Sequence, residues 1–258
     1  MKLSIIVPAY NEEDRIGPML DVYLPYFAER YGDDFEMIVS VNGSTDHTED
    51  CVRRRMAVYP QLRMTVNPAP IGKGGAIMAA GPLACGDLIG FVDADGATPP
   101  FAFDDLVLRI GDAGLIIASR RLPGANIHPR PTWKRRMASR IFNGMVRGLF
   151  KLKITDTQCG AKVMTAEAWH AIVPSIGLTR WAFDVDMLFK TRRAHYLIRE
   201  IPTTWSDISG SKLQVGRASC QMFLAICRLR ILYTRLAPIV HLYDRLLGRV
   251  IPLDPYGG

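Results

Sequence analysis

The chain has 258 residues, 48% of them hydrophobic, and carries 32 lysines and arginines against 25 acids, a formal net charge of +7. That length suits one large domain or one domain with an appendage, and no uncharged stretch approaches the roughly 18–20 residues of a membrane-spanning helix. Five scattered cysteines with no Cys-x-x-Cys pair and no Cys/His cluster argue against a zinc module and fit a reduced, cytoplasmic setting.

The first half alternates strand and helix signals. The apolar run at 3–8 is too short for a signal peptide and predicts a strand over 3–7. Helical apolar spacing follows over 12–30, then a strand over 35–41. Ser44, Thr45 and Asp46 read as the cap of a helix running to about residue 59. A strand over 62–66, a small-residue helix over 73–83 and strands over 88–92 and 115–118 complete the rhythm. Such β-α-β-α order predicts an α/β fold with a mostly parallel central sheet and helices on both faces.

The second half is less regular. Trp133, Met137, Ile141, Met145 and Leu149 recur every fourth residue beside Arg136, Arg140, Arg147 and Lys151, the pattern of a basic amphipathic helix. From Gly216 the chain is apolar nearly all round, with Arg217, Gln221, Arg228 and Arg235 along one side. Pro238 is expected to break this helix, and a second short one is expected to reach Leu247. The chain divides on this reading into a main domain, 1–215, and a C-terminal helical segment, 216–258, that associates with membrane. No acid stands between Asp112 and Asp156, or between Asp207 and Asp244. Two basic segments on a neutral-to-acidic body point to an anionic partner: a membrane surface, a nucleic acid or a phosphorylated substrate. No nucleic-acid recognition motif accompanies the charge. The apolar stripes either enter a bilayer interface or pack on the sheet.

The segment 86–98 is the richest in chemistry. A buried-strand pattern ends in Asp93 and Asp95, hard oxygen ligands suited to Mg²⁺ or Mn²⁺, ions that take further ligands from substrate phosphates. The alternative is a turn opened by Asp93 and closed by Asp95-Gly96. Pro8-Ala9-Tyr10-Asn11-Glu12 follows the first strand, and its ring and carboxylate suit a nucleoside or simply start a helix. Gly72-Lys73-Gly74-Gly75 is not a Walker A loop, because Asn67 and Gly74 replace its first glycine and its Ser/Thr. It is either an anion-facing helix N-terminus or a close-packed one. Asp184 starts a helix, where it favours the dipole.

Taken in order and spacing, Ile5-Ile6-Val7-Pro8-Ala9-Tyr10-Asn11-Glu12, Asn42-Gly43-Ser44-Thr45-Asp46, Gly72-Lys73-Gly74, Asp93-Ala94-Asp95-Gly96-Ala97-Thr98, Ser119-Arg120, Asp156-Thr157-Gln158-Cys159-Gly160, Trp181-Ala182-Phe183-Asp184-Val185 and Gly210-Ser211-Lys212-Leu213 resemble the family 2 glycosyltransferases of the GT-A fold. Within them the chain is most similar to the polyprenyl-phosphate hexose synthases, in the dolichyl-phosphate β-glucosyltransferase branch. The resemblance implies nucleotide contacts at Pro8, Ala9, Tyr10, Glu12, Val41, Asn42, Lys73, Asp93 and Ala94, and Mg²⁺ or Mn²⁺ at Asp93 and Asp95. It implies acceptor-phosphate contacts at Arg120, Gln158 and Lys212, and catalytic roles for Asp95, Arg120, Lys212 and Asp184. The implied reaction is metal-dependent, inverting transfer of a hexose, glucose from UDP-glucose, to a polyprenyl phosphate of dolichyl or undecaprenyl type. The implied setting is peripheral, on the cytoplasmic face of an anionic membrane.

Two departures bear on this. The family usually has Asp-Asp before Gly-Ser, and Val41-Asn42 stands there instead, which leaves the base contact open. The mannose branch tends to carry an arginine before the Gly-x-Ser-Lys stretch, and Trp205-Ser206-Asp207-Ile208 has none, which favours glucose over a GDP-mannose donor. A phosphate acceptor is largely ionised at pH 7 and needs positioning more than a base. A transferase extending a saccharide or glycolipid hydroxyl needs a carboxylate base, for which Asp184 is the candidate.

Overall fold

β1 (Leu3–Ala9) is buried along almost its whole length, the mark of a central strand covered on both faces. A computed structural model describes residues 1–129, 132–177, 182–206, 215–238 and 240. After β1 come α1 (Glu13–Tyr31), β2 (Phe35–Asn42), α2 (Thr48–Met56), β3 (Leu62–Asn67), α3 (Gly72–Ala80), β4 (Leu88–Phe91), α4 (Pro100–Arg109), β5 (Leu115–Ser119) and β6 (Asn126–His128). The rest comprises α5 (Trp133–Phe150), β7 (Lys162–Thr165), α6 (Ala166–Ile172), α7 (Phe183–Arg193), β8 (Ile198–Pro202), β9 (Thr204–Ser206) and α8 (Val215–Leu232).

Seven strands form one sheet in the order β3-β2-β1-β4-β7-β5-β8, parallel except for β7, while β6 and β9 form a separate parallel pair. The chain winds outward from β1 through β2 to β3, then returns to place β4 on the other side of β1. That reversal is a topological switch point, and ligands of open α/β sheets bind outside the carboxyl ends of the strands there. One apolar layer, with Leu20, Phe27, Phe103 and Leu106, packs α1 and α4 on one face. The other, with Ile77, Val146, Trp169, Phe183 and Leu229, packs α3 and α5 to α8 on the opposite face.

Three sequence expectations need correction. α2 stops at Met56, ahead of Pro60, which disfavours helical backbone in the residue before it. α3 stops at Ala80, and Pro82 turns the next three residues into a 3₁₀ turn. α8 ends at Leu232, six residues before Pro238, so the proline is not what terminates it. The expected short helix reaching Leu247 lies outside the described residues, as does most of segment 216–258 beyond α8. Among the described residues no helix is long and apolar enough to cross a membrane.

The stripe on α5 divides. Leu149 packs against the core beside Val146 and Phe150, while Trp133, Met137 and Ile141 are 65%, 46% and 58% exposed. Those three side chains therefore face outward, while Phe142 on the same helix packs against the core.

Candidate active site

The parallel register brings the ends of the first four strands together. Pro8 pairs with Ser40 and Ala9 with Val41, Asn42 with Asn67, and Ile6 with Phe91. The segment after β4 thus leaves the sheet beside Pro8 and Tyr10. Tyr10 is half exposed, at 52%.

The loops after β1 and β2 are tied to each other. Asn11, at φ 52°, donates its amide to Ser44 Oγ at 3.0 Å and accepts from the Thr45 amide at 2.9 Å. Glu12 N donates to Thr48 Oγ1 at 2.8 Å, and Glu13 N to Asp46 Oδ2 at 3.1 Å. Ser44-Thr45-Asp46 therefore does more than start α2: its polar atoms hold the loop that bears Tyr10 and Glu12. Asn42 is buried and accepts from the Ile71 amide at 2.7 Å, which fixes the entry to α3. Gly43, at φ 63°, lies so close to Ala69 and Pro70 that a Cβ would approach the Pro70 nitrogen to 2.5 Å. The residue pair that departs from the family pattern thus shapes the wall carrying Lys73.

Asp93, Asp95 and Glu12 converge at the switch point. Burial pushes the Asp93 carboxyl up, but Lys73, Lys162 and Arg120 outweigh it and hold it below the ordinary carboxylate range. Lys73 Nζ sits 2.6 Å from Asp93 Oδ1. Burial and the neighbouring Asp93 charge push Asp95 up, although its Oδ1 accepts from the Ala97 amide at 2.9 Å. Glu12 is also raised, by burial first, against the opposing pull of Arg15 at 2.6 Å. Among the described residues no three His, Cys, Asp or Glu side chains form a metal-ligating group. Two strand-end carboxylates with hard oxygens are a fitting donor set for Mg²⁺ or Mn²⁺, which completes its shell with water and phosphate oxygens.

The antiparallel β7 adds a wall that the sequence did not reveal. Its first residue, Lys162, pairs with Phe91 of β4 and Ile117 of β5, so a strand start lies among strand ends. Lys162 is wholly buried. Its Nζ donates to Asp184 Oδ1 and to the Cys159 carbonyl, both at 2.6 Å. Asp184, in the first turn of α7, thus has a dedicated counter-ion. Just before β7, Gly160 passes so close to Asp93 that a Cβ would come within 1.8 Å of Oδ2.

Beyond β5, Arg120 grips Asp156 through Nε at 2.8 Å and Nη2 at 3.0 Å, and its guanidinium lies 5.3 Å from the Trp205 ring centroid. Burial opposes both charges, but each holds the other ionised. Glu200 accepts from the Asp156 amide at 2.8 Å and the Thr155 hydroxyl at 2.6 Å. Asn143 of α5 accepts from the Thr157 amide at 3.0 Å. The loop 155–160 is therefore pinned from two sides. Its Gln158 has a buried Nε2 without a hydrogen-bond partner. Arg121 is different from Arg120. Burial lowers its basicity, and Arg120, Arg140 and Arg147 lower it further against the pull of Asp156. Arg120, Arg140 and Arg147 thus lie near enough for their charges to act on Arg121, with Asp156 and Glu200 the acids beside that loop among the described residues.

Of the residues singled out in the sequence, Pro8, Ala9, Tyr10, Glu12, Val41, Asn42, Lys73, Asp93, Ala94 and Asp95 gather around the switch point. Arg120, Gln158 and Asp184 stand on the β5–β7 side. Lys212 and Trp181 lie outside the described residues. Lys162, Asp156, Glu200 and Asn143 were missed as site residues. A lysine heading an apolar run, directly after Gly160-Ala161, was the available signal for Lys162.

Comparison with known proteins follows the same lines. The model of Glycosyl transferase family 2 matches residues 4–172. The dolichyl-phosphate beta-glucosyltransferase of Dictyostelium discoideum is 34% identical over 243 residues, covering 90% of this chain and 74% of the relative. That of Homo sapiens is 34% identical over 226 residues, covering 82% and 69%. Among solved structures, glucosyl-3-phosphoglycerate synthase from Mycobacterium tuberculosis, in complex with Mn²⁺, UDP-glucose and glycerol 3-phosphate, superposes with a TM-score of 0.64 at 19% identity, covering 89% of this chain and 79% of that one.

Proposed function

The chain belongs to glycosyl transferase family 2 and has the GT-A fold, and we propose that it transfers glucose from UDP-glucose, with inversion, to a polyprenyl phosphate presented at a membrane surface. The observation that carries this reading is the asymmetry of the site: a carboxylate pair at the switch point, with Lys73 2.6 Å from Asp93, and on the β5–β7 side a group of arginines whose charges act on one another. The first suits a cation-bound nucleoside diphosphate and the second suits an anionic acceptor. Relatives named as dolichyl-phosphate beta-glucosyltransferases support the donor sugar and the acceptor class.

Asp93 and Asp95 would hold Mg²⁺ or Mn²⁺, and the bound ion would neutralise charge on the departing diphosphate. Pro8, Ala9, Tyr10, Glu12, Val41 and Asn42 line the nucleoside side. The acceptor phosphate has a second pKa near 6, so it arrives largely ionised. Arg121, Arg140 and Arg147 offset its repulsion from the donor, with Lys212 and Gln158 as further contacts. Arg120 holds the acceptor loop through Asp156 and adds its charge to the same field. No strong base is needed, and Asp184 is engaged by Lys162.

The outward stripe of α5 supports surface docking. Trp133, Met137 and Ile141 face solvent, with Arg136 and Arg140 exposed on the same helix. Such a helix lies in a bilayer interface with its apolar face inserted and its arginines on anionic headgroups. The cytoplasmic leaflet is the anionic surface this charge would meet.

A thermal-shift panel with Mn²⁺ and UDP, GDP or CDP tests the donor side, because a ligand bound only to the native state raises its stability with log ligand excess. UDP with Mn²⁺ is expected to raise Tm most, and a larger shift with GDP would overturn the choice of UDP-glucose.

A further inference from the structure

Resting on the reading of Asp93 and Asp95 as the cation site, we propose that Lys73 is a resident counter-ion that occupies Asp93 in the unliganded enzyme and yields it when divalent cation and nucleoside diphosphate arrive together. Cation and nucleotide then bind as one coupled unit, and the cation alone binds poorly.

The geometry behind this is specific. Lys73 Nζ lies 2.6 Å from Asp93 Oδ1, at the distance of a direct charge-assisted hydrogen bond. The other oxygen, Oδ2, is covered by the backbone at Gly160, where a Cβ would come within 1.8 Å. A cation approaching Asp93 meets an ammonium on one oxygen and a peptide against the other. An ammonium and a divalent ion repel strongly at such separations in a partly desolvated site, so Lys73 must leave for the ion to bind.

The surroundings decide where Lys73 can go. Lys162 and Arg120 already add positive potential at Asp93. Asp184 is engaged by Lys162 at 2.6 Å. Asp95 is needed by the incoming ion. Lys73 is the second residue of α3, which begins at Gly72 with φ 77°, so its stem starts among helix N-terminal amides that favour an anion. A diphosphate bridged to the ion supplies the missing negative charge within reach of the same flexible side chain. Lys73 thereby serves as carboxylate partner without ligand and as phosphate partner with it. The coupling is reciprocal, as linkage requires: nucleotide tightens cation binding by the factor by which cation tightens nucleotide binding.

Titration of the full chain with Mn²⁺, read by the loss of free-Mn²⁺ electron paramagnetic resonance signal, tests this without turnover. Wild type is expected to bind Mn²⁺ at least ~10-fold tighter in the presence of UDP than in its absence. Lys73→Met is expected to bind Mn²⁺ alone at least ~5-fold tighter than wild type and to lose most of the UDP enhancement. Lys73→Arg, which keeps the charge, is expected to behave as wild type. Lys73→Gln, neutral and also uncharged at neutral pH, is measured alongside so that misfolding of one variant leaves the test intact. Mn²⁺ affinity in the neutral variants no higher than wild type, with UDP-dependent binding preserved, would overturn the counter-ion role. Failure of wild type to bind Mn²⁺ even with UDP would instead overturn the cation site itself.

Discussion

The two flanks of the site are built by opposite means. On the β1–β4 flank the groups come from strand ends that the parallel register aligns, and the charges are matched: Lys73 with Asp93, Arg15 with Glu12. On the β5–β7 flank a strand running the wrong way and a pinned loop do the positioning, and among the described residues the charges of Arg120, Arg140 and Arg147 act together on Arg121. A donor that arrives with a cation needs carboxylates oriented at the strand ends to receive it. A site that receives an anion needs unbalanced positive charge instead. The difference between the flanks thus matches a donor that brings a cation and an acceptor that brings only its phosphate.

Substitution of the cation ligands should break the first flank most severely. Asp95→Ala is expected to lower turnover by ~10³-fold, since a bound ion would supply several kcal/mol of stabilisation to the developing charge. Retention of most activity would remove Asp95 from the site. Its fold should not suffer. Burial and Asp93 raise the folded-state carboxyl above its ordinary value, so ionising Asp95 costs stability as pH rises through that raised value. Asp95→Asn is therefore expected to leave Tm at pH 7 unchanged or higher, with its advantage fading at pH below the ordinary carboxylate value; a lower Tm at pH 7 would contradict this sign.

The second flank should respond in acceptor use alone. Arg121→Ala with Arg140→Ala is expected to lower kcat/KM for the lipid phosphate by ~10²-fold, the loss of charge-assisted hydrogen bonds, while UDP binding in the presence of Mn²⁺ stays within ~2-fold. An equal loss in both measurements would show that the flanks are not separable. Asp184→Asn is a smaller and sharper probe. It strands the buried Lys162 and should lower stability, yet turnover per folded molecule should fall by less than ~10-fold. A loss of ~10²-fold or more in the folded fraction would make Asp184 a general base and the acceptor a hydroxyl.

A separate effect concerns docking. Binding to anionic vesicles, absent on neutral ones and lost at high salt, is expected to weaken in Arg136→Glu with Arg140→Glu by about 1 kcal/mol per charge removed. Flotation of the intact protein with no vesicle binding at low salt would count against a bilayer-borne acceptor.

The first flank was legible in the sequence for the reason that it is regular. The runs over 3–7 and 35–41 read as strands in an alternating pattern, and the carboxylates after the run over 88–92 fall at the switch point once those strands pair. The second flank was legible only in part. β7 has four residues and begins with a lysine, which breaks the apolar run that would announce a strand. No helix is read over 100–109, although Pro100 in its first turn is a start signal. Arg120 read as a free phosphate ligand, and its bidentate hold on Asp156 depends on contacts 36 residues apart that no local pattern encodes. The same holds for Lys162 and Asp184, 22 residues apart. Conversely, the periodic stripe on α5 was read correctly as amphipathic, but only the packing of Val146 and Phe150 decided which turns face outward.

The most direct measurement is transfer itself. The full chain is incubated with Mn²⁺, UDP-glucose labelled in the sugar, and a polyprenyl phosphate in anionic vesicles, with a saccharide hydroxyl acceptor in a parallel reaction. The account predicts label in the lipid phase as a β-linked glucosyl phosphate, released as glucose by mild acid, and none on the saccharide. Label on the saccharide with none in the lipid phase would contradict it.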